Sequence, residues 1–226
     1  MKVSETYIQG LFKVDDAEKS RLATINATMG KTVYDEDLFK FEGKEYRYWD
    51  PYRSKFAAAY LSGMKSLPQI KEKSILYLGV STGTTASHFS DINTDGVIFG
   101  IEFSSKVMRK FFRLSEQRSN LIPILADARK PEEYSSFVLE ADLIYQDVAQ
   151  PDQATIFGRN ALEFLRSGGF GIIAIKSQSI DVSLEPEKVF SNQIKELEKD
   201  FGLELIEYKT IEPYEKKHAV VVIKMP

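Results

Sequence analysis

From about residue 75, short apolar runs alternate with amphipathic stretches along the chain. The runs are ILYLGV, VIFGIEF, LIPILAD, ADLIYQDV and FGIIAIKS, and they begin at residues 75, 97, 121, 141 and 170. Between them lie TTASHFSDI, SSKVMRKFFRLSEQR, PEEYSSFVL and QATIFGRNALEFLRSG, which we interpret as helices. Strands that are continuous hydrophobic runs, separated by helices, indicate a parallel sheet covered on both faces.

The last two apolar runs of the chain are not separated by a helix. LELIEYKTI and HAVVVIKM come after the predicted helix EPEKVFSNQIKELEKD, and only EPYEKK separates them. That gap is too short for a parallel crossover, so this pair is predicted to be an antiparallel hairpin. Residues 49–226 are therefore predicted to form an α/β domain with a mostly parallel, seven-stranded sheet that ends in a hairpin.

Residues 1–48 contain no convincing helical pattern. TYIQGLFKV, RLATIN, KTVYD and LFKFEGKEYRYW are predicted to be short strands with turns, and the last of these resembles a hairpin around Glu42 and Gly43. We predict a small antiparallel β domain over residues 1–48. The helix PYRSKFAAAYLSGMKSL is expected to connect it to the larger sheet.

Composition narrows the class of protein. The chain has 226 residues, of which 43% are hydrophobic, and no apolar run reaches the ~18 residues that a membrane span needs. Polar residues interrupt the N-terminal stretch, so we expect no signal peptide, no membrane partner and a cytoplasmic location. The absence of cysteine excludes disulfides, and two histidines, His88 and His218, make a metal centre an unfavoured interpretation. His88 is expected to serve only packing or the surface.

The formal net charge of −3 provides no overall attraction to nucleic acid. Locally, seven basic and two acidic residues lie between Lys106 and Lys130. Four of the basic residues have the spacing i, i+3, i+4, i+7 that places them on one helix face: Lys106, Arg109, Lys110 and Arg113. This face is either an RNA-contacting surface or an ordinary solvated helix face.

The segment GVSTGTT, from Gly79, places small residues where a strand gives way to a helix. A phosphate-binding P-loop would need a lysine after Gly83, and a dinucleotide site would need G-x-G-x-x-G, so both of these ligand classes fit poorly. Glu102 ends the second predicted strand, 23 positions after Gly79, and is well placed to accept hydrogen bonds from ribose hydroxyls.

A second acidic residue, Asp127, ends the third predicted strand. Its carboxylate could accept from an adenine amino group while the backbone of Ala128 serves the ring nitrogens. A glycine loop, a ribose acid and an adenine acid on successive strands suit an adenosine without phosphates, which favours S-adenosylmethionine as the cofactor. The alternative is that Glu102 and Asp127 only cap the helices that follow their strands.

Six segments together carry a resemblance to a known family: YLGVSTGTTASHFSDI, IEFS, DARKPEEY, DLIYQDVAQPDQ, FGIIAIKSQSID and EPYEKKHAVVV. In this order they resemble fibrillarin, the RNA ribose 2′-O-methyltransferase family, in its archaeal form without a glycine/arginine-rich tail. YQDVAQPDQ is the most specific of them. The resemblance implies a class I S-adenosylmethionine-dependent methyltransferase fold, which is Rossmann-like, with a small N-terminal β domain.

Three residues are candidates for the chemistry. Asp147 and Lys176 end neighbouring predicted strands and should face one crevice, and Lys55 lies on the helix before the glycine loop. A lysine that is partly desolvated near another lysine can act as a base, so we assign Lys176 as base, Asp147 as its orienting group and Lys55 as a contact to the nucleotide. The alternative for Lys176 is a strand-end lysine that extends to water.

The Lys-Asp-Lys set resembles the catalytic set of other 2′-O-methyltransferases. In those enzymes the set has a fourth residue, which lies on a late strand. By position that member is His218, whose alternative is a hairpin residue without a chemical role. The resemblance also implies cofactor contacts, to which the glycine loop adds Gly79. Phe103 among them could stack on adenine or belong to the core. The implied contacts are Thr84, Thr85, Glu102, Phe103, Asp127, Ala128, Asp147 and Gln150.

Two other functions stay open. The same cofactor site could serve a small-molecule methyltransferase, although no large insertion is present to form a lid, or a non-catalytic scaffold, although the Lys-Asp-Lys set is retained. The resemblance implies partners in a box C/D ribonucleoprotein: a Nop-domain scaffold protein, a kink-turn-binding ribosomal-type protein, a guide RNA and the target rRNA or tRNA. An RNA enzyme with a net negative charge is understandable if partners and base pairing hold the target.

Overall fold

The computed structural model describes residues 1–16 and 19–226, which contain two sheets. The first sheet is antiparallel and has the strand order β1-β2-β3-β5-β4. Its strands are β1 (Lys2–Glu5), β2 (Leu11–Asp15), β3 (Ser20–Ile25), β4 (Leu38–Phe41) and β5 (Lys44–Trp49).

The predicted hairpin around Glu42 and Gly43 is confirmed: both residues have positive φ, 47° and 76°, as the tight turns of hairpins require. TYIQGLFKV, predicted as a short strand with a turn, is a turn followed by β2. One expectation for this region was wrong. KTVYD is not a strand, because the Glu36 carboxylate accepts the backbone N–H groups of Val33 and Tyr34 and holds the segment in a turn.

The second sheet has seven strands in the order β11-β12-β10-β9-β6-β7-β8. All its pairings are parallel except those of β12, which is antiparallel to both β10 and β11, so the predicted architecture is confirmed. Its elements are α1 (Lys55–Leu61), β6 (Ser74–Leu78), α2 (Thr84–Ile92), β7 (Val97–Glu102), α3 (Ser105–Ser115), β8 (Leu121–Leu125), β9 (Ala141–Gln146), α4 (Gln153–Phe164), β10 (Leu165–Lys176), α5 (Ser177–Ile180), α6 (Pro186–Phe201), β11 (Glu204–Thr210) and β12 (His218–Lys224).

Three predicted helices differ from the observed ones, among them QATIFGRNALEFLRSG, in which α4 ends at Phe164 and the last four residues begin β10. PEEYSSFVL contains only a 3-10 turn, Pro131–Glu133. The segment is anchored to α4 instead, because the buried Tyr134 hydroxyl donates a hydrogen bond to the Asn160 side chain. Helix α1 is shorter than PYRSKFAAAYLSGMKSL: the Ser54 side chain caps its start, and Gly63 has a positive φ of 87° just beyond its end.

The core lies on both faces of the seven-stranded sheet. Alternate residues of β6 point to opposite sides, so Ile75 and Tyr77 join one cluster while Leu76 and Leu78 join the other. The first cluster also contains apolar residues of the N-terminal region, among them Trp49. The two sheets therefore share buried apolar surface, and the boundary at residue 48 stays a prediction. None of the helices in the described ranges is long and apolar enough to cross a membrane.

Buried charges also connect the two sheets. Arg47 on β5 is fully buried and forms ion pairs with Glu36 at 2.8 Å and with Asp91 of α2 at 3.5 Å. Its guanidinium donates to the Ser87 hydroxyl at 2.8 Å, and Arg118 pairs with the other oxygen of Asp91 at 2.6 Å. Charges removed from water need such partners, so this network fixes α2 against the N-terminal sheet.

His88 belongs to the same interface and serves packing rather than the surface. Its ring stacks on Trp49, with the centroids 4.5 Å apart. The Thr24 hydroxyl donates to Asp91 at 2.7 Å, so it must accept from His88 Nδ1 at 2.8 Å, while Nε2 lies 2.7 Å from the Tyr34 hydroxyl, which also reaches the Tyr48 carbonyl oxygen at 3.1 Å. Burial, together with the two neighbouring arginines, holds the pKa of His88 well below its ordinary value. The imidazole is therefore neutral, with its proton on Nδ1.

Candidate active site

The glycine loop between β6 and α2 needs its two glycines for different reasons. Gly79 has a φ of 76°, and a Cβ there would lie 3.0 Å from the Asp147 carbonyl oxygen, so the loop and the end of β9 approach closely. Gly83 has a φ of 92°, and a Cβ would lie 2.6 Å from Leu114. Gly79 therefore sets the loop against Asp147, whereas Gly83 allows the start of α2 to pack on α3.

A cleft of about 410 Å³ lies at the carboxyl ends of β6 to β9, where ligands bind in open α/β sheets. A second cleft of about 280 Å³, called here the reaction cleft, shares Gly79, Ser81 and Asp147 with it and is also lined by Thr84 and Thr85. The structure thus brings the predicted cofactor contacts to one edge of the sheet. Those that line the larger cleft are Gly79, Glu102, Phe103, Asp127, Ala128, Asp147 and Gln150.

Glu102 stabilises the loop as well as facing the cleft. The residue is only 8% exposed, and its carboxylate accepts the backbone N–H groups of Ser81 at 3.2 Å and Ser104 at 2.9 Å. Helix α3 is capped by the Ser104 side chain, so capping is not the role of Glu102. A carboxylate has about four acceptor positions, which leaves capacity for hydroxyl groups of a ligand.

Asp127 has a competing partner that sequence reasoning did not anticipate. Arg129 donates from Nε and Nη2 to its carboxylate, at 3.0 and 2.6 Å. These hydrogen bonds lower the pKa of Asp127, so the group remains ionised, and its contact with adenine stays a prediction. Phe103 is 67% exposed at the rim of the cleft, which excludes the alternative that it belongs to the core.

Lys55, Asp147 and Lys176 converge in the reaction cleft. The Asp147 carboxylate lies between the two amines: Oδ2 is 3.2 Å from Lys55 Nζ, and Oδ1 is 2.8 Å from Lys176 Nζ. The Asp147 backbone N–H donates to the Leu78 carbonyl at 3.0 Å, which fixes it beside the glycine loop. The Lys176 amine also donates to the Asp147 carbonyl oxygen at 3.2 Å. One carboxylate therefore orients both lysines.

Glu215 is a member of this cluster that sequence reasoning missed. Its Oε1 is 3.2 Å from Lys55 Nζ, and its Oε2 is 3.3 Å from His218 Nε2. His218 therefore reaches the cluster through Glu215, and its Nδ1 donates to the Lys216 carbonyl at 2.8 Å. Glu215 lies in EPYEKK, which the sequence marks as the short link between the last two strands and as part of the resemblance segment EPYEKKHAVVV, but neither pattern assigns it a role.

The two carboxylates determine the charge of Lys55. Burial alone would lower the pKa of Lys55, but Asp147 and Glu215 together outweigh it, and the pKa is raised above its ordinary value. Lys55 is consequently a cation at neutral pH and is suited to hold an anionic or hydroxyl group. Lys176 lies on the opposite oxygen of Asp147, and its role as the base stays a prediction.

The sheet order, with the single strand β12 antiparallel between β10 and β11, and a glycine loop followed by an acid at the end of the next strand define a class I methyltransferase fold. The chain belongs to the fibrillarin family: the family model called Fibrillarin matches residues 3–226.

Relatives agree over nearly the full length. The fibrillarin-like rRNA/tRNA 2′-O-methyltransferase of Pyrococcus furiosus is 50% identical over 214 residues, which cover 94% of this chain and 93% of that protein. The Aeropyrum pernix fibrillarin, solved with natively bound S-adenosyl-L-methionine, has a TM-score of 0.90 at 45% identity and covers 99% of this chain and 98% of that one. A chain of a fibrillarin/Nop5p complex has a TM-score of 0.86 at 36% identity and covers 98% of this chain and 100% of that one.

Proposed function

We propose that this chain is an S-adenosylmethionine-dependent methyltransferase that modifies ribose 2′-hydroxyls of rRNA and tRNA at positions chosen by a guide RNA. The observation that carries the proposal is the arrangement of Lys55, Asp147 and Lys176 in a cleft that joins the nucleoside-sized cleft behind the glycine loop. The family membership agrees with this function.

The residues of the larger cleft fit the cofactor. Gly79 lines the cleft without a side chain, the Glu102 carboxylate can accept from ribose hydroxyls, and Phe103 offers an exposed ring for adenine. Asp147 borders both clefts, so a cofactor held behind the loop would direct its reactive end toward the two lysines. When bound, S-adenosylmethionine supplies an electrophilic methyl group, so the main tasks left to the protein are positioning and proton removal.

The protein groups divide these tasks among them. Lys55, held as a cation between Asp147 and Glu215, contacts the nucleotide and fixes the ribose. Lys176 takes the proton of the attacking 2′-hydroxyl, and Asp147 keeps its amine in the direction that this transfer needs. His218 supports the cluster from behind by its contact with Glu215.

The partners follow from the same proposal. We infer that the chain works in a box C/D ribonucleoprotein with a Nop-domain scaffold protein, a kink-turn-binding protein and a guide RNA. The fibrillarin of the Nop5p complex supports a scaffold of this type. A net charge of −3 gives the chain little general affinity for RNA, so the guide and the scaffold would deliver the target.

The identity of the methyl acceptor separates the candidate functions. The chain is incubated with the scaffold proteins, guide RNA, target RNA and S-adenosylmethionine that carries a tritiated methyl group. Label in RNA is expected. Label in a small acceptor would favour the small-molecule methyltransferase, and no label at all would favour a non-catalytic scaffold.

Cofactor binding should raise the melting temperature. At about 100 times its Kd, S-adenosylmethionine should add about 2.7 kcal/mol of stability, or about 5–10 °C for a chain of this size. NAD and ATP should cause no shift, because the glycine spacing suits neither. Glu102→Gln should reduce the shift, whereas Glu116→Gln, a matched change at an exposed residue, should leave it unchanged. An equal shift with NAD would overturn the cofactor assignment.

A further inference from the structure

A polar groove of about 330 Å³ lies between the loop that precedes β4 and helix α3. One wall comes from residues 28–35 of the N-terminal region, and the other comes from α3 and the turn after it. Lys31 joins the two walls, because its Nζ donates to the Gln117 side chain at 3.2 Å. The groove shares no lining residue with the 410 Å³ cleft that we assign to the cofactor.

Five basic residues line the groove, of which Arg118 is buried against Asp91 and four are free to face it: Lys31, Arg53, Lys110 and Arg113. All four side chains are exposed, and none forms an ion pair with a carboxylate in residues 1–16 and 19–226. The one acidic residue of the groove lining is Asp35. The groove therefore carries an excess of uncompensated positive charge.

Unpaired positive charge is not a general property of the basic segment, which is the stretch from Lys106 to Lys130 with its seven cations. Of its seven cations, Arg118 is buried against Asp91, and two others at its end pair with neighbouring carboxylates. Lys106 and Arg109 are exposed on α3, but they lie outside the groove. Lys110 and Arg113 thus differ from the other exposed cations of α3 because they line the groove.

The groove is continuous with the reaction cleft. Arg53 and Thr82 line both of them, and Arg53 lies two residues before Lys55. The Arg53 guanidinium carbon is 5.4 Å from the centre of the Tyr34 ring, which holds it over the groove. A strand whose ribose lies at Lys55 and Lys176 can therefore continue directly into the groove.

We propose that this groove binds the phosphate backbone of the target RNA strand next to the ribose that is methylated. The proposal rests on the proposed function and adds to it the path of the substrate. Arginine and lysine side chains that are not paired with a carboxylate are suited to phosphate oxygens, and a strand neutralised by them releases its counterions. The groove would hold the nucleotides that adjoin the target nucleotide, while the guide RNA selects which nucleotide is the target.

Two double variants of α3 test this path, because each neutralises one lysine and one arginine three residues apart. Lys110→Gln/Arg113→Gln changes the groove, and Lys106→Gln/Arg109→Gln is the control. Binding of a fluorescent single-stranded RNA oligonucleotide to the full chain is measured by anisotropy at several KCl concentrations. Loss of two phosphate contacts should reduce the slope of log K against log[KCl] by about 1.4, at about 0.7 per phosphate for single strands.

The control pair should keep most of the wild-type slope, and both variants should keep the thermal shift with S-adenosylmethionine. Equal losses in the two variants would overturn the proposal, because they would indicate the general positive field of α3. An unchanged slope with weaker binding to the purified scaffold protein would also overturn it and assign the groove to that protein. Failure of the proposed function is a separate result: the wild-type particle would then not methylate RNA.

Discussion

Replacing Lys176 by alanine is expected to lower the rate of methyl transfer by about 10²- to 10⁴-fold, the usual contribution of a positioned base. The amine lies 2.8 Å from Asp147 Oδ1 in the reaction cleft, and the other lysine of the cluster is held as a cation by two carboxylates. Single-turnover methylation of target RNA by the reconstituted particle measures the effect, since it isolates the chemical step from product release.

The fold and the cofactor should survive this change. Lys176 is at the end of β10, and its backbone N–H donates to the Gln153 side chain, an interaction that alanine retains. Lys224→Ala, at the far end of the neighbouring strand β12, is the matched control and should keep wild-type rates. Asp147→Ala should also lower the rate of transfer strongly, but with weaker cofactor binding, because Asp147 borders the cleft assigned to the cofactor. Wild-type turnover by a folded Lys176→Ala protein would remove this residue from the mechanism.

Arg47→Ala is expected to destabilise the protein by about 3–5 kcal/mol, as does the loss of one partner from other buried ion pairs. The change would leave Glu36 and Asp91 without the guanidinium that now lies between them. Such a loss is a large part of the 5–15 kcal/mol that typical domains possess. Urea denaturation followed by circular dichroism measures it, with wild type and variant at the same pH.

Arg166→Ala provides the matched control. Its ion pair with Asp142 is as short, at 2.7 Å, but the Arg166 side chain is 45% exposed, and exposed pairs contribute about 0–1 kcal/mol. Asp142 also keeps a hydrogen bond from the Ser74 backbone N–H. If Arg47→Ala costs no more than Arg166→Ala, the buried network does not hold the N-terminal sheet to α2.

The larger sheet could be predicted from the sequence because its signals are local. Continuous apolar runs mark the buried parallel strands, and the short EPYEKK link allows only a hairpin. Asp147 and Lys176 could be placed together because strand ends of a parallel sheet meet at one edge, and Lys55 was added from the helix that precedes the glycine loop. In each case a rule of geometry acts on residues that are near one another in sequence or in strand order.

The misses depend on contacts between distant segments. PEEYSSFVL was predicted to be a helix because it lies between two strands, but Tyr134 bonds to Asn160 on α4. KTVYD does not form a strand, because the Glu36 carboxylate accepts the Tyr34 backbone N–H and holds the segment in a turn. Glu215 enters the cluster only because the turn before β12 folds toward Lys55. The basic segment could not be divided into paired and unpaired cations until Arg118 was seen beside Asp91. Patterns along the chain carry no information about such partners.

The measurement that tests the central claim most directly is the mapping of 2′-O-methylation on a target RNA after incubation with S-adenosylmethionine. The complete particle, with guide RNA and scaffold proteins, is compared with the same particle carrying Lys176→Ala and with the isolated chain. We predict one methylated ribose, at the position that the guide selects, in the wild-type particle and almost none in the other two samples. A target RNA without 2′-O-methyl groups after incubation with the intact wild-type particle would contradict the claim that this chain methylates RNA ribose.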